Sequence, residues 1–210
     1  MRITDGRISF GAGDLVDHLA CRYLTELNTR MAEGVLAAPG DRDPMLDLLR
    51  QRGLVHEQEY VRHLEESGCK ITRIDGVGLS QEGVDETLEA MRSGCEIIVQ
   101  AALSEGAWGG RADVLRRVDV PSELGDWSYE VIDTKLARKT KCGAILQLSL
   151  YSDLVRAIQG VLPEFMHVVA PWTGFVPQSY RTGDYSAYYR LVRTWLETAV
   201  FKNGHAANYP

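Results

Sequence analysis

An apolar strand, a long helical stretch and a second apolar strand follow one another between Trp127 and Pro171, and that succession leaves few topologies open. Trp127 to Leu136 is rich in alternating apolar residues, which favour a pleated strand. From Gly143 to Ile158 the residues Ala144, Gln147, Leu148, Tyr151, Leu154, Val155 and Ile158 recur at helical spacing, and EFMHVVAP then reads as a strand again. A strand, a helix and a strand in that order form a right-handed crossover between parallel neighbours. Upstream, EIIVQAALSEGAWGGRADVLRRV reads as an antiparallel hairpin turning at Ser104, Glu105 and Gly106, with Gly109 and Gly110 weakening its second arm. One parallel and one antiparallel connection make the sheet mixed. The expected class is α/β, with helices on both faces of the sheet.

The remaining punctuation is consistent with a single domain over residues 1–210. Asp43-Pro44 starts a helix that runs to about Ser67 and is ended by Gly68. Its inward stripe holds Gly53, His56, Glu57, Tyr60, Val61 and Leu64. Lys70 to Ile74 forms a short strand, Val84 to Arg92 a short helix, Pro121 to Gly125 a turn and Val176 to Arg181 an edge strand. A helical segment is expected over about 1–40, and Asp184 is expected to cap a last helix over about 184–201. No apolar run approaches the length that spans a bilayer, and the N-terminus lacks the apolar core of a secretory signal, so no membrane partner and a cytoplasmic location are expected.

The chemistry gathers where the apolar pattern is broken. In YEVIDTKLARKTK, alternation places Tyr129, Val131, Asp133 and Lys135 on one side of a strand, and the run continues into Arg138, Lys139 and Lys141. On its own this equally fits a strand end emerging into solvent with a surface ion pair. Asp113 interrupts the second hairpin arm between Ala112 and Val114. His56 and Glu57 lie on or beside the inward stripe of their helix, although a lone histidine there is more often a satisfied core residue than a ligand. Together these residues supply hard oxygen donors and one imidazole, a set suited to Mg²⁺ or Mn²⁺ rather than to a thiolate metal. Lys135 can touch an attacking water or a phosphate oxygen, and the Thr134 carbonyl offers a further ligand. The net charge of −6 gives no global attraction to nucleic acid, so a polyanion would need a local basic patch.

Four motifs carry a resemblance across most of the chain: GLVHEQEY, GRADVL, IDTK and QLSLY, in that order. The pattern resembles the PD-(D/E)xK nucleases, in particular their RecB-like branch, which includes the CRISPR-adaptation nucleases. It is similar to the N-terminal nuclease module of large RecB-like proteins that continue into a helicase-like region. The resemblance implies a restriction-endonuclease-like fold and metal-dependent cleavage of DNA, acting on single strands or ends. It implies that His56, Asp113 and Asp133 hold the metal, that Lys135 acts on water or phosphate, and that Gln147 and Tyr151 support the site or contact DNA. Glu57 would be a second ligand or would orient the imidazole. The implied partners are DNA and a helicase-like region or partner protein.

Such modules carry an iron-sulfur cluster on one cysteine of the first helix and three after a terminal YP. Cys21 in HLACRYL matches the first, but the sequence stops at Tyr209-Pro210 and three ligands are absent. Cys69, Cys95 and Cys142 are scattered, so no cluster is expected in this chain. Arg138, Lys139 and Lys141, with Arg111, Arg116 and Arg117, are candidates for gripping the backbone, and Trp108 or Tyr151 for stacking on bases. The competing class is a noncatalytic nucleic-acid-binding or scaffold module with the same fold. Zinc-protease, nucleotide-cradling and acyl-transfer motifs are missing: HEQEY lacks the second histidine of H-E-x-x-H, and neither G-x-x-x-x-G-K-[ST] nor G-x-S-x-G occurs.

Overall fold

The computed structural model describes residues 1–4, 7–40, 43–76 and 78–201. The terminal Tyr209-Pro210 lies outside them. The chain opens with an antiparallel pair, β1 (Arg2–Thr4) and β2 (Arg7–Ser9), followed by α1 (Ala12–Ala20) and α2 (Arg22–Ala32). The segment expected to be helical over 1–40 therefore begins with a small hairpin. Helix α3 (Pro44–Glu66) starts as its sequence requires, with Pro44 at the first helical position and the Asp43 carboxylate accepting from the Met45 amide at 2.9 Å. Strand β3 (Ile71–Arg73) leads to α4 (Gln81–Arg92). That helix begins before Val84 because the Ser80 hydroxyl accepts from the Gly83 amide and caps it.

Strands β4 (Ile97–Glu105), β5 (Trp108–Val118) and β6 (Ser128–Thr134) form an antiparallel meander. Helix α5 (Cys142–Gln159) then crosses to β7 (Phe165–Val169), which lies parallel to β6, and β8 (Gln178–Arg181) pairs antiparallel at the edge. The six strands are ordered β3-β4-β5-β6-β7-β8, with β3 also parallel to β4, so the sheet is mixed as expected. Helix α6 (Thr182–Phe201) starts directly from β8. Asp184 sits in its first turn rather than at its cap, where its charge still favours the helix N-terminus.

Helix α5 is not simply amphipathic. Leu146, Leu148, Leu150, Leu154 and Val155 are all buried, because one side packs on the sheet and the other meets α1 and α6. Burying each such side chain contributes about 1.5–3 kcal/mol, which makes this helix the centre of the larger core. A second, smaller core on the opposite face joins Tyr60 and Val61 of α3 to Ile97, Val99, Val114, Ile132 and Val169. Among the described residues, no helix is long and apolar enough to cross a membrane.

Candidate active site

Alternation along β6 puts Tyr129, Val131 and Asp133 against α5, while Ile132 faces the α3 core. Asp133 therefore enters an apolar layer and is 1% exposed. Its Oδ1 accepts from Lys135 Nζ at 2.9 Å and from Gln147 Nε2 of α5 at 3.1 Å. Nζ also lies 2.7 Å from Oδ2, so the Lys135 ammonium is the close partner of that buried oxygen. Burial, and then the neighbouring charge of Asp113, push the Asp133 carboxyl up to about 7, with Lys135 acting in the opposite direction. Lys135 is about one-third exposed and forms the open side of the pair.

Asp113 comes from β5 and is tied to the end of β6. Its Oδ2 accepts from both the amide and the hydroxyl of Thr134, each at 2.8 Å. Thr134 thus enters the site through those two donors, in addition to the carbonyl that its sequence position offers. Glu57 completes an acidic group. Its carboxyl is raised by burial and then by Asp113, and is lowered by a hydrogen bond from Gln100. Gln100 Nε2 reaches Glu57 Oε1 at 2.5 Å.

Gln100 is not singled out by the sequence motifs. It holds a left-handed backbone, φ 57°, inside a strand. The two strands around it change face together. Val99 and Val114 are register partners in the α3 core, whereas the next pair, Ala101 and Ala112, belongs to the α5 core. Gln100 and Asp113 stand opposite each other between these pairs, where alternation breaks. The signal that could have found it is a single polar residue inside the apolar run IIVQAAL, across the hairpin from Asp113.

His56 is buried, and its Nε2 lies 3.1 Å from the Val169 carbonyl, which also accepts from the Lys135 amide at 3.0 Å. Since a carbonyl only accepts, Nε2 carries a proton and donates it to Val169. The ring stacks on Phe175, with centroids 6.0 Å apart. Among the described residues no three acidic, histidine or cysteine side chains form a preset metal cage. The group nevertheless suits a hard cation. Three carboxylates, Glu57, Asp113 and Asp133, influence one another, and the single ammonium of Lys135 is the nearest charge set against them.

Gln147 and Tyr151 share one face of α5, as their spacing requires. Gln147 supports Asp133 directly. The Tyr151 ring is buried, and its hydroxyl is held protonated by burial and then by the charges of Asp133 and Asp113. It packs so closely on β5 that a Cβ at Gly110 would stand 2.7 Å from its Cε1. Tyr151 therefore buttresses the site, and its ring is not available to stack on a base. Trp108 is 2% exposed and donates to Glu197 at 2.7 Å, so it does not offer a stacking surface either.

The basic residues divide into two sets. Arg138, Lys139 and Lys141 lie on the loop that follows Lys135, and all three are exposed. The arginines of β5 are engaged internally. Arg111 donates to the carbonyls of Ile74, Gly76 and Gly78, Arg116 pairs with Glu130 at 3.3 Å, and Arg117 donates to the Gly94 carbonyl at 2.8 Å. Backbone and carboxylate acceptors thus fix these three candidate DNA-binding cations in place, although Arg117 stays exposed. Cys21, Cys69 and Cys95 are half-buried and Cys142 is exposed, all as free thiols. Compared with known proteins, the chain matches no family model and no curated sequence.

Proposed function

We propose that this chain is a metal-dependent deoxyribonuclease of the PD-(D/E)xK type, RecB-like in its motifs and restriction-endonuclease-like in its core. The observation that carries the reading is Asp133: a carboxylate 1% exposed, paired with Lys135 two residues on and set beside Asp113 at the end of β6. A fold that needed only packing would not place an acid there, because burying a charge is costly unless it is paired. Supporting it are the antiparallel β4–β5–β6 meander and the parallel step through α5, which set the strand ends beneath Gln147.

Asp113 and Asp133 would hold Mg²⁺ or Mn²⁺, with Glu57 beside them and with the His56 Nδ1 and the Thr134 carbonyl as further donors. When bound, the ion supplies charge neutralisation at the phosphate and a water of lowered pKa. Lys135 brings a partly exposed ammonium to the same mouth, suited to a nonbridging phosphate oxygen or the attacking water. Gln147 holds the Asp133 carboxylate in place, and the Thr134 amide and hydroxyl do the same for Asp113. Burial, and then Asp113, raise the Glu57 carboxyl above its ordinary range, so it holds its proton more readily than a free glutamate. Arg138, Lys139 and Lys141 would follow the DNA backbone, and a helicase-like region or partner protein would deliver single strands or ends.

End-labelled single- and double-stranded DNA incubated with EDTA, Mg²⁺ or Mn²⁺ tests this. Cleavage should require the ion and be abolished by Asp133→Ala and by Lys135→Ala, with both variants still folded. Wild-type cutting rates in both variants would refute the site. The engagement of His56 with Val169 and Phe175 favours a second reading, a noncatalytic nucleic-acid-binding module. Tight DNA binding without turnover in either ion would mark it.

A further inference from the structure

A cavity of about 790 Å³ lies between the N-terminal segment and β5 and is lined by Gln147, whose amide donates to Asp133. Gln147 and Tyr151 of α5 line it together with Ser9, Gly13, Asp17 and Asn28. Its volume is within the roughly 300–1,000 Å³ range of small-ligand pockets, large enough for a nucleotide and far too small for a duplex. We infer that this cavity is a subsite for one nucleotide of a single DNA strand, next to the phosphate cleaved at Asp133. The inference rests on the nuclease reading and adds to it a binding site built by β1, β2 and α1.

The lining carries the two chemistries that a nucleotide presents. Arg2 and Arg111 give one side positive charge. Arg2 is exposed and forms no ion pair among the described residues. Arg111 has both terminal nitrogens committed to the carbonyls of Ile74, Gly76 and Gly78, which fixes the guanidinium, yet its Nε is buried with no acceptor. That Nε is closed off from the cavity, so the fixed guanidinium contributes charge at the wall and acts on a bound phosphate through space. On the other side, Asp17 Oδ2 accepts from Asn28 Nδ2 at 3.0 Å, which leaves Oδ1 and the amide oxygen to accept from an exocyclic amine. The floor is glycine. A Cβ at Gly109 would run into Leu79 Cδ2 and one at Gly110 into the Tyr151 ring, so both glycines let these two lining side chains close onto the strand.

Gly13 offers a clean perturbation. It lines the cavity, and a Cβ there meets nothing within 4 Å, so Gly13→Trp adds bulk without a backbone clash. Arg2→Glu reverses the charge at an exposed position. Binding of d(pApA) is measured by calorimetry in EDTA, where no cleavage can occur, with inorganic phosphate as the comparison probe and thermal melting as the check on folding. The wild-type chain should bind d(pApA) at least about tenfold more tightly than phosphate, and each variant should lose about tenfold or more, a change of about 1.4 kcal/mol. Undiminished binding by both folded variants, equal binding of phosphate, or no binding by the wild-type chain would each overturn the subsite. Cleavage of long single-stranded DNA by the wild-type chain in Mn²⁺ tests the nuclease reading separately, so the two can fail independently.

Discussion

Replacing Asp133 by asparagine should stabilise the metal-free protein, and should do so in a pH-dependent way. The carboxyl rises from an ordinary value near 4 to about 7 because burial, and then Asp113, oppose its ionisation. Three units correspond to about 4 kcal/mol of unfavourable free energy once the group is ionised in the folded state. The sign follows from proton linkage. Between roughly pH 4 and 7 the folded protein binds more protons than the unfolded chain, so stability falls as pH rises through that window and is lowest above it. Asparagine keeps the shape, can still accept at Oδ1, and carries no charge. Lys135, one-third exposed, can turn its ammonium to water when its partner is neutral. Urea unfolding in EDTA should therefore show Asp133→Asn more stable than wild type by about 2–4 kcal/mol at pH 8.5, and by less than about 1 kcal/mol at pH 5. With Mn²⁺ the order should narrow or reverse, because a cation bound only by the folded wild-type site stabilises it by mass action. A variant less stable than wild type at pH 8.5, or a difference independent of pH, would show that Asp133 is ionised at little cost and refute the argument.

Gln100→Gly should leave stability within about 1 kcal/mol, since relief of the left-handed backbone offsets the missing hydrogen bond and the added chain entropy. It should move the alkaline or acid limb controlled by Glu57 upward in pH, because the Gln100 hydrogen bond lowers that carboxyl; an unmoved pH–rate profile would separate Glu57 from the chemistry. Reversing the charge of Arg138, Lys139 and Lys141 should raise the DNA concentration needed for cleavage and flatten its dependence on salt, by about one unit of log–log slope for each phosphate that these side chains no longer neutralise. An unchanged slope would place the DNA track elsewhere. Gly110→Ala should destabilise by about 1–3 kcal/mol, read in urea, because the new methyl group overlaps the buried Tyr151 ring.

The sheet was legible because its connections are dictated by local pattern. The hairpin turn at Ser104 to Gly106 and the β6–α5–β7 crossover both follow from apolar period and turn residues, and the strands pair as those imply. Helix α5 shows the limit of this reasoning. Its period marked one inner side, but Ile145, Leu146 and Leu150 outside that stripe are buried too, because α1 and α6, far away in sequence, also pack on the helix. Likewise a cation such as Arg111 looks available in sequence, whereas its acceptors are backbone carbonyls of a loop 33 to 37 residues earlier.

The pairing of Asp113 with Gln100 was illegible for a deeper reason. Period-2 reasoning assumes that a strand keeps one face to one core, yet β4 and β5 both exchange faces at these two opposed residues. The exchange needs a residue in the left-handed region, and a glycine there would have flagged it; glutamine does not. A glutamine is nevertheless what the local chemistry uses, because its amide donates to Glu57, and a glycine could relieve the backbone but leave that carboxylate without its donor. The backbone cost at Gln100 and the raised carboxyls of Glu57 and Asp133 thus fall on the same cluster, joined to β6 by Thr134. Local rules are broken there by three residues at once, in a sheet that otherwise obeys them, and strain concentrated in that way is better accounted for by a ligand-binding site than by packing alone.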